Sequence, residues 1–181
     1  MIYAFLAKGF EEVEAIATID VIRRAEIDIC TVGIGSKLVC GSHNIPVFCD
    51  LDESEISLEN DFDGIILPGG MPGTLNLEKN KTVNDFIDYS VKNNKLIAAI
   101  CAAPSILGHK GLLDSKEATC FPGFENELVG ATVSDKYVVS DENIITAKGM
   151  GSAIDFGLAV CEYFCGKEEA LRLKNTLQCP K

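Results

Sequence analysis

Ile97-Ala98-Ala99-Ile100-Cys101-Ala102-Ala103-Pro104 is an apolar run too short for a helix, closed by a cysteine and followed within three residues by a proline. Such a run reads as a buried strand, and Pro104 fits the first turn of a helix, where no backbone donor is needed. A strand that turns into a helix this abruptly forces the turn residue into a strained backbone conformation, so its flanks must be small. Ala99, Ala102 and Ala103 stand where glycines stand in G-x-S-x-G elbows. The stretch therefore predicts a nucleophile elbow. Its thiol would stand clear of the sheet at a helix start, where free N–H groups and the helix dipole favour the thiolate and lower its pKa. The competing reading, a cysteine serving as one more small buried hydrophobe, does not account for the turn.

Outward from this elbow, short apolar runs alternate with amphipathic stretches, the pattern of a parallel sheet covered on both faces. Strands are expected at Ile2 to Ala7, Asp28 to Gly33, Gly64 to Leu67 and Lys95 to Ile100, with further strands at Ala118-Thr119, Tyr137 to Ser140 and Ile144 to Ala147. Helices are expected at Glu11 to Ala25, Thr82 to Asn93 and Ala103 to His109. Two more follow at Ala153 to Cys165, capped by Ser152, and near Glu168 to Leu177. Leu38 to Cys49 reads as a short hairpin or an edge excursion around Gly41-Ser42-His43-Asn44, with Pro46 arguing against a central position.

The 181 residues, 47% of them hydrophobic, suffice for one full core, and no linker or charge block divides them, so one domain over residues 1–181 is expected. A net charge of -11 leaves no basic stripe for a phosphate backbone, which argues against nucleic acid and anionic membrane surfaces as partners. No apolar run approaches the roughly 18 residues of a membrane span. The first residues lack a basic start and run into Lys8 and the Glu11-Glu12 pair, so they read as a strand rather than an export signal, and a cytoplasmic protein is expected. None of the 8 cysteines forms a C-x-x-C pair, so neither a zinc ribbon nor a thioredoxin-type site is expected. Cys161 and Cys165, one helical turn apart, have no second ligand pair and read as core packing. No metal and no cofactor are called for. Gly33-Ile34-Gly35 matches a dinucleotide fingerprint only in part, lacking its third glycine and its helix.

Active groups of open α/β sheets gather at the carboxyl ends of the strands. There, Gly69 and Gly70 offer bare N–H groups that could form an oxyanion hole with the amide of Ala102, or else make a simple tight turn. On the first helix Glu14 falls on a face with Phe10, Val13, Ala17 and Val21; a second stripe of Ile16, Ile19 and Ile22 leaves the buried face open. Buried, Glu14 would have a raised pKa and could donate a hydrogen bond to a Cys101 thiolate; otherwise it belongs to a solvated acidic turn, the reading preferred for Glu11 and Glu12. His43, in the Gly-Ser-His-Asn loop, is either a general base or substrate-orienting group, or a surface residue. His109, at a helix C-terminus, reads as a solvated cation.

Lys8-Gly9-Phe10-Glu11-Glu12-Val13-Glu14, Leu67-Pro68-Gly69-Gly70, Ala99-Ile100-Cys101-Ala102-Ala103-Pro104 and Gly149-Met150-Gly151-Ser152-Ala153-Ile154-Asp155-Phe156, in this order and spacing, resemble the DJ-1/ThiJ/PfpI family, DJ-1 branch, over nearly the whole chain. The resemblance implies a flavodoxin-like three-layer α/β/α sandwich, a homodimer, an oxidation-prone elbow cysteine at Cys101 with a protonated glutamate at Glu14, and oxyanion amides at Gly69 and Gly70. Activities it implies include cofactor-independent conversion of methylglyoxal to lactate, deglycation, redox sensing through a cysteine sulfinic acid, and chaperone action, with a small reactive carbonyl or an oxidant as partner. A role in thiamine biosynthesis is carried by the family name alone. PfpI-type peptidases place a histidine directly after the nucleophile; Ala102 stands there, so a peptidase dyad is not expected. Some DJ-1 proteins have a histidine where this chain has Cys120-Phe121-Pro122, and His43 falls where others carry an arginine.

Overall fold

Alternation of strand and helix is what the chain adopts in the computed structural model, which describes residues 1–179. In chain order the elements are β1 (Ile2–Leu6), α1 (Glu12–Arg24), β2 (Ile29–Gly33), β3 (Leu38–Cys40), β4 (Pro46–Phe48), β5 (Leu51–Asp52) and β6 (Gly64–Leu67). Then come α2 (Gly73–Lys79), α3 (Lys81–Lys92), β7 (Leu96–Ile100), α4 (Pro104–His109), β8 (Glu117–Ala118), β9 (Thr132–Val133), β10 (Val138–Asp141), β11 (Ile144–Ala147), α5 (Ala153–Cys165) and α6 (Lys167–Thr176).

Seven strands form one sheet in the order β10-β11-β7-β6-β1-β2-β5, parallel throughout except for the edge pair β10–β11. Strands buried on both faces carry continuous apolar runs, and alternate residues go to opposite layers. Tyr3, Phe5, Ile65, Leu67, Ile97 and Ala99 pack with Val83, Phe86, Ile87, Ile106 and Leu107 of α3 and α4. Ile2, Ala4, Leu6, Ile66, Leu96, Ala98 and Ile100 pack with Ala15, Ile19 and Ile22 of α1 and Phe156 and Val160 of α5. This is the expected flavodoxin-like α/β/α sandwich. Strands β2 and β6 flank β1 on opposite sides, so the strand order reverses there, and the carboxyl ends of β1, β6 and β7 open at one edge of the sheet.

Several expectations change in detail. The strand at Ala118-Thr119 is β8, which pairs with β9 in a separate two-stranded sheet. The hairpin β3–β4 forms another such ribbon, with Pro46 at its margin. Ser152 does not cap α5 through its side chain: its Oγ turns back to donate to the Gly149 carbonyl (2.8 Å) and accept from the Gly149 N–H (3.2 Å). Of the helical pair of cysteines, Cys161 is buried as expected, whereas Cys165 is exposed. Among the described residues no helix is long and apolar enough to cross a membrane.

Candidate active site

Cys101 follows the last residue of β7 with φ of +67°, the left-handed region that a β-carbon makes costly, about 1–2 kcal/mol. Such a conformation persists only where neighbours fix it. Here the Cys101 N–H donates to the Ala147 carbonyl of β11 (2.8 Å), and its own carbonyl accepts from the Phe121 N–H (2.8 Å). Ala102 and Ala103 are buried, and Pro104 opens α4. The elbow read from the sequence is therefore present, with a half-buried thiol.

Glu14 reaches this thiol from the first turn of α1. The helix is capped by Glu11, whose Oε2 accepts from the Glu14 N–H at 2.6 Å. The Glu14 side chain is 1% exposed, and its Oε2 accepts a 3.0 Å hydrogen bond from the Gly69 N–H. Two glycines make this approach possible. A β-carbon on Gly69 would lie 2.5 Å from Cys101 Cβ and 2.7 Å from Glu14 Oε2. One on Gly70, at φ +91°, would meet the Gly9 carbonyl at 2.6 Å. The bare backbone thus brings the ends of β6 and β7 and the β1–α1 loop into one knot.

Burial, reinforced by the charge of Glu11, pushes the Glu14 carboxyl up to about 7, while hydrogen bonds from Cys101, Gly69 and Met150 pull it back. Burial and the Glu14 carboxylate push the Cys101 thiol up to about 12, against the N–H groups of Gly70 and Ala102. This corrects the expectation of a thiol simply lowered by a helix start: α4 is a six-residue helix, and the facing carboxylate and lost solvent outweigh it. With the proton on Glu14 the repulsion vanishes and its O–H can donate to sulfur. As pH rises through about 7 the pair gains one negative charge, which oxygen and sulfur compete to carry.

Not every predicted group joins the site. The Gly69 N–H is engaged by Glu14, so of the three expected oxyanion donors Gly70 and Ala102 remain, both acting on Cys101. Val13 and Ile16, expected on apolar faces, are 46% and 44% exposed, because Glu14, Ala15, Thr18 and Ile22 turn inward. Glu12 is not solvated: it is 5% exposed and its carboxylate accepts from the N–H of His43 (2.7 Å) and from the Ser42 hydroxyl (3.2 Å). Burial would raise its pKa, but hydrogen bonds from the His43 N–H and ring and from backbone N–H groups, Ile45 among them, outweigh this and hold it down to about 2. His109 is no free cation either, since Nδ1 and Nε2 pair with Glu78 (2.5 Å) and Glu127 (2.7 Å).

A profile of the DJ-1/PfpI family matches residues 1–163. The chain is 36% identical over 175 residues to the protein dj-1beta of Drosophila melanogaster, covering 95% of this chain and 93% of that one. The chain belongs to the DJ-1/PfpI family. It is also 32% identical over 186 residues to a Schizosaccharomyces pombe protein named glutathione-independent glyoxalase DJ-1, covering 97% of each. Among solved structures, a DJ-1 superfamily protein of Salmonella typhimurium superposes with a TM-score of 0.93 at 33% identity, covering 99% of this chain and 98% of that one. An oxidized DJ-1 of Toxoplasma gondii superposes at 0.94 with 29% identity and the same coverage.

Within this DJ-1/PfpI frame His43 is a rim residue. Its side chain is 73% exposed and its Nδ1 lies 3.1 Å from Glu12 Oε2, so the loop is held to the start of α1 rather than to Cys101. Glu11, Glu12 and His43 bring one polar atom each within 4.8 Å of one another, but Glu12 is already engaged by the loop. Sequence reasoning noted Phe121 only as a missing histidine and missed what surrounds it. Phe121, Pro122, Tyr137, Lys148, Gly149, Met150, Gly151 and Ser152 line a cleft of about 380 Å³ beside the elbow. A second groove of about 340 Å³ lies between β10, α5 and α6. Neither is lined by Cys101 or Glu14; the first adjoins them through Phe121, whose N–H donates to the Cys101 carbonyl, and through Gly149, which lies beside Glu14.

Proposed function

We propose that the protein is a cofactor-independent glyoxalase/deglycase-type enzyme acting on 2-oxoaldehydes such as methylglyoxal. One observation carries this reading: a thiol on a strained elbow faces a buried carboxyl poised near neutrality, with two backbone N–H groups on the sulfur. In the arrangement with a thiolate and a neutral Glu14, sulfur adds to the aldehyde carbon. Glu14 gives its proton to the alkoxide, which Gly70 and Ala102 N–H groups stabilise while it forms. The Glu14 carboxylate then removes the hydrogen on the former aldehyde carbon and returns it to the neighbouring one, while the hydroxyl proton of the hemithioacetal passes to the ketone oxygen, converting the hemithioacetal into a thioester of the 2-hydroxy acid. Water cleaves the thioester, releasing lactate and restoring the thiol. The net change is methylglyoxal plus water to lactate, with no electron left over. The S. pombe relative named a glyoxalase supports the reading.

Lactate formation from methylglyoxal, measured with wild type, Cys101→Ser and Glu14→Gln, tests it. Both variants should lose turnover by at least a hundredfold, the scale of a positioned acid–base or nucleophilic group; full retention in Cys101→Ser would falsify the proposal.

A second reading is supported by the same half-buried sulfur and by similarity to a DJ-1 protein whose structure is an oxidized form. Cys101 would sense oxidants: peroxide oxidises the thiolate to a sulfenate and a second equivalent to a sulfinate, each step releasing water. Intact mass after mild peroxide should show two added oxygens in wild type and none in Cys101→Ser; oxygen spread over the other cysteines would count against it. We also propose a homodimer, through the exposed Val13 and Ile16 of α1 and Phe48 of the hairpin, which sedimentation of wild type and Phe48→Asp would test.

A further inference from the structure

The cleft beside the elbow is built for more than a methyl group. Two of its lining residues connect it to the elbow: Phe121, whose N–H donates to the Cys101 carbonyl, and Gly149. A β-carbon on Gly149 would sit 3.2 Å from Phe121 Cδ2 and 3.6 Å from Glu14 Oε1. The bare glycine thus leaves a slot about one atom thick between the aromatic ring and the carboxyl. Beyond it the walls are apolar and exposed: Phe121 at 47%, Met150 at 55% and Tyr137 at 70%. The Lys148 ammonium lies 5.5 Å from the Tyr137 ring centroid, a cation–π contact that holds this wall in place. At about 380 Å³ the cleft falls within the range of small-molecule sites, roughly 300–1,000 Å³.

We propose that Phe121, Tyr137 and Met150 form a specificity subsite for an aromatic substituent, so that aryl 2-oxoaldehydes are preferred over methylglyoxal. This rests on the glyoxalase reading for its chemistry, while the subsite itself is a matter of shape and apolar lining. A flat aromatic ring bonded to the keto carbon can lie over Gly149 and stack against Phe121, with Met150 closing over it. Methylglyoxal reaches Cys101 and leaves these walls wet.

Two measurements separate the subsite from the reaction. In the first, kcat/KM for phenylglyoxal is compared with that for methylglyoxal. The ratio should favour phenylglyoxal by about tenfold or more in wild type and fall by about tenfold in Phe121→Ala. In the second, the alkylation rate of Cys101 by phenacyl bromide and by bromoacetone is followed by intact mass, each normalised to the rate with glutathione. There the thiolate displaces bromide, so no turnover is needed. Wild type should show the same aromatic preference and Phe121→Ala should lose it. Met150→Ala, at an exposed position, should lower both ratios in the same direction and stands in should Phe121→Ala fail to fold. An aromatic preference in alkylation without turnover of either aldehyde would retain the subsite and overturn the glyoxalase reading. Turnover or alkylation with no aromatic preference in wild type, or a preference that both variants keep, would overturn the subsite.

Discussion

Replacing Glu14 by glutamine should make the protein more stable in alkaline solution and leave it unchanged in acid. Burial raises the Glu14 carboxyl from 4.5 to about 7, so between these values the folded state binds a proton that the unfolded chain has released. The favourable contribution is fully present below the unfolded value and is lost as pH rises through about 7. At ~1.4 kcal/mol per pH unit the loss amounts to about 3 kcal/mol. The side chain is 1% exposed, so solvent screens little of this. Glutamine keeps the shape, and its carbonyl can still accept from the Gly69 N–H while carrying no charge. Urea melts of wild type and Glu14→Gln at pH 5 and pH 8.5 measure the effect, with both in a Cys101→Ser background to remove the thiol's own titration. The two proteins should agree within about 1 kcal/mol at pH 5. At pH 8.5 the variant should lead by about 3 kcal/mol, equivalent to roughly 6–12 °C in Tm for a chain of this size. A difference that is the same at both pH values would refute the claim that burial holds the proton on Glu14.

Gly69→Ala should destabilise the fold by at least about 2 kcal/mol and abolish methylglyoxal turnover, since the new methyl would be driven against Cys101 Cβ and the Ile100 carbonyl; a soluble, fully active variant in a thermal melt and lactate assay would contradict this. Glu12→Gln should cost about 1–3 kcal/mol at pH 7 by weakening the charged bonds to Ser42 and His43. Because the Glu12 pKa is held down to about 2, that cost should shrink as pH falls from 4.5 toward 2, which melts at pH 7 and pH 3 would show. His109→Gln acts in the opposite direction: Glu127 and Glu78 raise the imidazole above its ordinary value, so the contribution is present below pH 6.5 and lost as pH rises through the folded value. The side chain is 39% exposed, so a loss of about 1 kcal/mol at pH 6 and none at pH 9 is expected in paired melts.

What could be read from the sequence depended on how local its cause was. The elbow is dictated by residues 97–104 alone, where an apolar strand, small flanks and a proline leave little choice, and the structure places Cys101 at positive φ as that reading required. Strands β1, β2, β6 and β7 were similarly legible, being buried on both faces and therefore continuous apolar runs. Glu14 was half legible. Its heptad neighbours left two faces open, and what settles it is the Gly69 N–H, 55 residues away. The role of Glu12 was hidden for the same reason, since its partners are in the hairpin loop and nothing in the acidic run distinguishes it from Glu11. Helix α2, whose seven residues begin at a glycine, was also missed. The cleft at Phe121 draws on three separate stretches of chain, so no window of sequence contained it.

The lowered thiol pKa was an error of the same kind, and its correction says how the site must work. A helix start acting on Cys101 alone would only lower the thiol's pKa, whereas a buried carboxyl opposite makes ionisation of sulfur conditional on where one proton sits. The Gly69 N–H favours the charge on Glu14; the Gly70 and Ala102 N–H groups favour it on sulfur. These donors oppose one another across a distance set by bare glycine backbone. A reagent that consumes the thiolate, whether an aldehyde or a peroxide, draws the pair toward that arrangement by mass action. The proton left on Glu14 is then available to the oxygen atom that each reaction makes basic.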